Sequence, residues 1–408
     1  MPKSGSLLQS FPKGPFFGNQ VESTVDSEVA RYYLESYLQG KTNNLSIDAK
    51  ISALYSLHGE SIPSRDELLA ISQEFSVDFA ALFLADRLLS NECNRKLNHS
   101  FDQYLRNSST VDASPSPYLV LFVPGWDYAD NGHLTGADFA APRKLAIQFG
   151  FENRLVELPP TGSVEQNAEF LAAEIRRHTG TGKKILLAGA SSAGPAIQLT
   201  LSERLNKTEL AAVKAWLNLG GILQGSPLID YLQDSPQRWL FNAFTWFKGW
   251  DKAAILSMST EQSRARFSGL RGNPDILVIN YLGIPLSGQL SKYSGDKYPL
   301  LRPHGPNDGL TLLTDAIAPN SLTVVALGSD HFFAEDLRIN EKTVALMKLM
   351  IDYYGPKFGA GLHLGASVGR INGIKRTLKA LVGLRHYSII RRLRYAAAHD
   401  KRRPPLVA

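Results

Sequence analysis

Lys183-Lys184-Ile185-Leu186-Leu187-Ala188-Gly189-Ala190-Ser191-Ser192-Ala193-Gly194-Pro195 is the stretch on which the reading of the chain turns. Two lysines lead into an apolar, β-rich run, the run bends on small residues around a serine pair, and a helical pattern follows from Ala196 to Leu205. This is a strand, a tight corner and a helix. A serine on such a corner is held in strained backbone angles that only small neighbours tolerate, which pushes its hydroxyl into the open at the C-terminal edge of a sheet. The next helix aims unpaired N–H groups at the same point, so negative charge developing there is stabilised. Two serines fit the tip: Ser191, in Gly189-Ala190-Ser191-Ser192-Ala193, and Ser192, in Ala190-Ser191-Ser192-Ala193-Gly194. Taken alone, the stretch also suits a doubly wound fold whose turn carries no nucleophile or holds a phosphate.

On either side, strands alternate with helices. Tyr118–Val123 is an apolar strand ending in Pro124-Gly125-Trp126. A helix is expected from Gly136 to Ala146, a strand at Arg154–Leu158, an amphipathic helix from Ser163 to His178, and buried strands at Ala212–Leu217, Ile276–Leu282 and Ser321–Leu327. Such alternation implies a mainly parallel sheet covered on both faces. It breaks between Gln224 and Pro274, where Trp239-Leu240-Phe241-Asn242-Ala243-Phe244-Thr245-Trp246-Phe247-Lys248-Gly249-Trp250 packs three tryptophans and three phenylalanines into one helical run. That run suits either core or a cover over an oily ligand. Upstream, residues 1 to about 20 read as a loose arm. Ser27 to Asn107 reads as three to five helices, one of them capped by Ser64 with Glu67 three residues on.

The strand, corner and helix around Ser191 resemble the nucleophile elbow of the α/β-hydrolase superfamily, normally Gly-x-Ser-x-Gly. The apolar strand ends two residues before Ser191, the superfamily's usual strand-to-tip spacing, which favours Ser191 over Ser192. Gly136-Ala137-Asp138, Gln224-Gly225-Ser226-Pro227-Leu228 and Asp330-His331-Phe332-Phe333 further resemble a bacterial subgroup of its serine-nucleophile branch, over roughly residues 117 to 350. Ala193 departs from the elbow's final glycine, and the antiparallel strands that open many of these folds are not evident.

The resemblance implies an α/β-hydrolase fold at 113–355 with a cap at about 226–274; the N-terminal helical region at 1–112 and the basic amphipathic tail at 356–408 lie outside it and rest on residue pattern alone. It places an acid at Asp308, in Pro306-Asn307-Asp308-Gly309, and a histidine at His331, so that Ser191, Asp308 and His331 follow the superfamily's order. Asp330 is the alternative acid. The backbone N–H groups of Trp126 and Ser192 would form the oxyanion hole, and Trp239, Phe244, Trp246 and Phe247 of the cap would face substrate. The residue types suit the task. A serine hydroxyl is a weak nucleophile at neutral pH, so an imidazole must take its proton, and a carboxylate must fix that imidazole's tautomer. The implied activity is hydrolysis of a lipophilic ester through an acyl-enzyme, with no metal and no cofactor. Acyl transfer with the same residues, and a silent module that binds a ligand or scaffolds a partner, are the alternatives.

Totals set the frame. A chain of 408 residues, 44% hydrophobic, is long enough for a large domain with additions. One cysteine, Cys93, excludes an internal disulfide and fits a reducing compartment. The N-terminus lacks the apolar core of a signal peptide and no stretch is long enough to span a membrane, so the cytoplasm is expected. Residues 361–408 hold eleven Lys/Arg and one acid, leaving 33 bases against 37 acids elsewhere. The basic pI of 9.2 therefore belongs to the tail. Its amphipathic pattern suits peripheral contact with an anionic membrane; nucleic acid, an acidic protein or plain solvation would suit its charge as well.

Overall fold

The computed structural model describes residues 13–16, 19–22, 24–107, 117–236, 238–270, 272–334 and 336–354. The basic tail read at 356–408 lies outside these.

Eight strands are present among them: β1 (Lys13–Phe16), β2 (Asn19–Glu22), β3 (Tyr118–Val123), β4 (Glu152–Leu155), β5 (Lys184–Ala190), β6 (Val213–Leu219), β7 (Leu277–Ile284) and β8 (Leu322–Leu327). β1 and β2 pair antiparallel where the sequence reads as a loose arm; strands of four residues, one holding Gly14 and Pro15 and the other mostly polar, carry too little apolar periodicity to announce themselves. The other six form one sheet in the order β4-β3-β5-β6-β7-β8, with every pairing parallel. All the strands therefore end at one edge, where a parallel sheet presents its binding crevice.

Period-two alternation divides the core. Leu119, Leu121 and Val123 share one buried cluster with Ile185 and Leu187, whereas Val120 and Phe122 share another, on the opposite face, with Leu186 and Ala188. Both faces are dry, as near-continuous apolar strands require. The helix expected over 136–146 is instead two, Tyr128–Thr135 and Ala140–Gln148. Gly136 adopts φ +76° and closes the first, and Phe139 at φ +52° turns the chain into the second.

Among the described residues the N-terminal region contains five α-helices, Glu28–Glu35, Leu45–His58, Arg65–Glu74, Val77–Ser90 and Glu92–Arg106. Ser64 and Glu67 form the reciprocal capping box read from sequence. Tyr33, Leu34, Ile51, Leu68 and the wholly apolar middle of Val77–Ser90 bury against Leu282, Ile284 and Leu286 after β7 and against Leu313 and Ala316. The helices thus share a core with the sheet's C-terminal edge.

One helix also blunts the sheet's open side. β8 is an edge strand, and its exposed ladder is met by side chains of Glu92–Arg106. Asn94 Oδ1 accepts from Thr323 N (2.8 Å), Asn98 Oδ1 accepts from Val325 N (3.0 Å), and Asn98 Nδ2 donates to Thr323 O (2.8 Å). Two amides four residues apart imitate a neighbouring strand. Asn98→Ala leaves a donor and an acceptor of β8 unmet and is expected to lower the unfolding free energy by about 1–3 kcal/mol in urea titration. A change below about 0.5 kcal/mol would mean that water replaces the amide at no loss.

Candidate active site

β5 carries the chain to Ala190, and Ser191 then adopts φ +54°. For a residue with a Cβ this left-handed geometry costs about 1–3 kcal/mol, and it persists only where the surroundings dictate it. They do so through contact on three sides. Ser191 N donates to Leu219 O of β6, and Ser191 O accepts from Gly194 N and Ile222 N. A Cβ on Gly189 would lie 2.2 Å from Ile197 Cδ1 and 3.3 Å from Ala193 Cβ, and one on Gly194 would lie 2.8 Å from Gly221 Cα. Ala193 is thus accommodated because Gly189 stands bare beneath it. Ser192, at φ −62°, already opens the helix Ala193–Leu199. Of the two serines, Ser191 occupies the tip.

His331 sits after β8, and its Nε2 lies 2.9 Å from Ser191 Oγ. Its Nδ1 lies 2.8 Å from Asp308 Oδ2. With the Nδ1 proton donated to a carboxylate that can only accept, Nε2 is left as the acceptor for the serine hydroxyl. Asp308 is buried and held in turn: Oδ1 accepts from Leu310 N (2.9 Å) and Thr311 N (2.8 Å), and its carbonyl accepts from His331 N (2.9 Å). Asp330 faces away. Its oxygens accept from Ser291 N (2.8 Å) and Phe332 N (3.0 Å), so it fastens the loop and does not orient the imidazole. Gly220, at φ +56°, backs the ring; a Cβ there would lie 3.6 Å from His331 Nδ1.

The turn after β3 lies against the tip, since a Cβ on Gly125 would fall 3.6 Å from Ser191 Cβ and 3.4 Å from Ala190 O. Neither Trp126 N nor Ser192 N has a hydrogen-bond acceptor among the described residues, and both residues line the cleft beside Ser191. Among the described residues no three of His, Cys, Asp and Glu converge as a metal-binding set.

No family model matches the chain, and no curated protein matches it. Solved structures do. The mature lipase of Bacillus licheniformis is 20% identical over 60% of this chain and 95% of its own, with a TM-score of 0.47. A metagenomic carboxyl esterase is 17% identical over 59% and 76%, at 0.46, and lipase 1 of Pelosinus fermentans 13% over 58% and 99%, at 0.41. The topology itself assigns the architecture, through the parallel order β4-β3-β5-β6-β7-β8 and the serine at the sharp turn after β5. The fold is that of the α/β-hydrolases.

Between β6 and β7 this α/β-hydrolase fold inserts four helices, Pro227–Asp234, Arg238–Lys248, Lys252–Leu256 and Thr260–Gly269, above the strand ends. Beneath them a cleft of about 550 Å³ opens onto Ser191. Its walls include Ile222, Ile229, Phe241, Trp250, Met258 and Leu310, and among the described residues no charged side chain lines it. Trp250 meets Trp126 edge to face, centroids 5.8 Å apart, which docks the insertion onto the turn after β3.

Three of the four cap residues singled out by sequence fall elsewhere. Trp239, Trp246 and Phe247 are 64%, 83% and 81% exposed and do not line the cleft. Phe244's side chain lies outside the described residues. Positions 239, 246 and 247 are seven and eight apart and share one helix face; Phe241 on the other side lines Ser191's cleft, and Leu240 reaches it from the border between the two. With aromatics on both faces, periodicity could not tell which would turn inward.

Proposed function

We propose that the protein is a serine hydrolase that cleaves a lipophilic ester through an acyl-enzyme, with Ser191 as nucleophile, His331 as general base and acid, and Asp308 as the group that orients it. The observation that carries this reading is the unbroken line Ser191 Oγ, His331 Nε2, His331 Nδ1, Asp308 Oδ2, with contacts of 2.9 and 2.8 Å, opening on an apolar cleft. As Oγ bonds to the ester carbonyl carbon, its proton passes to Nε2 and the carbonyl electrons move to oxygen. The N–H groups of Trp126 and Ser192 would receive that oxyanion, each such donor contributing about 3 kcal/mol. Collapse breaks the bond to the alkoxy oxygen, which leaves with the proton held by His331. Water then repeats the sequence on the acyl-enzyme, releasing the acid and restoring the serine.

A fluorophosphonate probe tests the assignment. Labelling is expected in the native chain, to disappear in Ser191→Ala and to survive in Ser192→Ala; the reverse pattern would move the nucleophile to Ser192. The apolar lining of the cleft, with Phe241, Trp250 and Met258, also favours a second reading, in which an alcohol rather than water takes the acyl group. Product analysis with graded alcohols present separates the two.

Composition alone supports a role for the tail as a peripheral contact with anionic membrane. No helix among the described residues is long and apolar enough to cross one. Deleting residues 361–408 is expected to release the protein from anionic liposomes at low salt, because about 1 kcal/mol is lost with each surface base. Unchanged co-sedimentation would remove that role.

A further inference from the structure

Asp315 lies seven residues beyond Asp308, in the short turn Leu313–Ala316, and its side chain is fully buried. Two arginines reach it from regions far apart in sequence. Arg65, first residue of the N-terminal helix Arg65–Glu74, donates from Nη1 to Oδ1 at 2.9 Å; Arg264, in the cap helix Thr260–Gly269, donates from Nη2 to Oδ2 at 3.2 Å. Arg65 Nη1 also reaches Gln224 Oε1 (3.4 Å), and Gln224 N donates to Asp315 O (3.2 Å). One residue thus gathers an N-terminal helix and the cap through its carboxylate, and the loop that follows β6 through its carbonyl oxygen.

That loop touches the reacting groups directly. Gly220 backs the imidazole of His331, and Ile222 N donates to Ser191 O at 3.1 Å. One residue past Gln224, Gly225 O accepts from Thr311 Oγ1 (2.8 Å), and Thr311 N donates to Asp308 Oδ1 (2.8 Å). The loops carrying the base's support and the acid are therefore tied to one another, and both are tied to Asp315. The apolar side of the same turn, Leu313 and Ala316, is buried in the N-terminal cluster with Leu68. Burial raises the carboxyl pKa of Asp315, and Arg65 and then Arg264 draw it back. Either guanidinium lost leaves a buried carboxylate short of a partner, and its turn must shift to find water.

We propose that Arg65 and Arg264, joined on Asp315, are positioning residues for the reaction at Ser191, which makes the N-terminal helical region a working part of the site. This rests on the hydrolase reading above. Displacements of about 1 Å in the loops that hold a base and its acid are enough to cost about a hundredfold in rate, whereas the open cleft would bind a small ester much as before.

The test uses the full chain and p-nitrophenyl acetate. In Arg65→Gln and in Arg264→Gln, kcat is expected to fall ten- to a hundredfold with KM changed less than threefold, and fluorophosphonate labelling of Ser191 is expected to slow in step. Arg65→Lys is expected to recover part of the loss. Arg65 and Arg264 side chains are 30% and 35% exposed, so a small cation can enter; methylguanidinium is expected to raise kcat of Arg65→Ala and to leave the native chain unchanged. Gln73→Ala, at an exposed position near the far end of the same helix, is expected to behave as the native chain. Rates within twofold of native in both glutamine variants overturn the inference, as does a loss that neither lysine nor methylguanidinium relieves and that tracks thermal unfolding. Should Arg65→Gln not fold, Arg264→Gln and Arg65→Lys decide. A native chain that neither labels nor hydrolyses sinks the hydrolase reading and this one with it; an active native chain with indifferent variants sinks only this one.

Discussion

Alanine at His331 is expected to lower kcat/KM on an activated acyl ester by about 10⁴-fold or more, and alanine at Ser191 to do the same. The reason lies in dependence of one group on the other. Without an imidazole 2.9 Å from Oγ, the hydroxyl keeps its proton during attack; without the hydroxyl, the imidazole has nothing to activate but water. Removing both should therefore cost little more than removing either, and the double variant is expected within about tenfold of the singles. Asp308→Asn tests the third position. An amide in place of the carboxylate can donate to Nδ1, which stabilises the wrong tautomer, and a loss of about 10⁴ is expected, close to 5.5 kcal/mol of transition-state stabilisation. Asp330→Asn, by contrast, alters a group that accepts only from Ser291 N and Phe332 N and should lose less than tenfold. Steady-state kinetics reads all five, with active-site titration of those that keep Ser191. Losses that simply multiply in the Ser191/His331 double variant, or an Asp330 variant worse than the Asp308 one, would dismantle the assignment.

The features legible in the sequence are those dictated locally. An apolar run such as Tyr118–Val123, short, rich in β-branched and aromatic residues and set among helical patterns, reads as a buried parallel strand, and β3 has those bounds. Ser64 with Glu67 writes its own capping box. Small residues around Ser191 mark a corner because nothing larger fits at Gly189 or Gly194. Strand ends elsewhere moved by a few residues: the sequence predicts Arg154–Leu158 and the structure shows Glu152–Leu155, since both ends are set by pairing with Leu119–Phe122 of β3 and not by the apolar run or by Pro159. What depends on distant partners was not legible. The inward choice of Phe241 over Trp246 is made by the cleft, and Asp315 looks like any loop acid until Arg65 and Arg264, 250 and 51 residues away, are folded onto it. The same holds for Trp250, whose place is set by Trp126.

Between pH 4 and 7 the protein is expected to lose stability that a variant lacking the Asp78 carboxyl does not lose. Asp78 is fully buried in the helix Val77–Ser90. Its Oδ1 accepts from Ser287 N and Ser287 Oγ, both at 3.0 Å, and its Oδ2 accepts from Asp26 N at 2.7 Å, so it staples the segment before the first helix to the loop after β7. Burial, and then the neighbouring Asp26 carboxylate, push its pKa from the usual carboxylate range up to about 7, against the pull of those hydrogen bonds. The nearby Arg302 is already engaged, donating to Asp26 Oδ2 at 2.7 Å. Because the folded pKa lies above the unfolded one, the native state holds the proton more tightly. The unfolded chain releases it near pH 4, the folded chain only near 7, and across that interval stability declines by about 1.4 kcal/mol per pH unit, on the order of 4 kcal/mol in all. The contribution is complete below pH 4 and gone above 7. Asp78→Asn cannot ionise, yet it turns an amide donor toward Ser287 or toward Asp26 N, so it should be weaker than native in acid and close the gap as pH rises. Urea unfolding of both proteins at half-unit steps reads the difference directly, free of the other titrating groups they share. Parallel curves would mean that the folded and unfolded chains release this proton at the same pH.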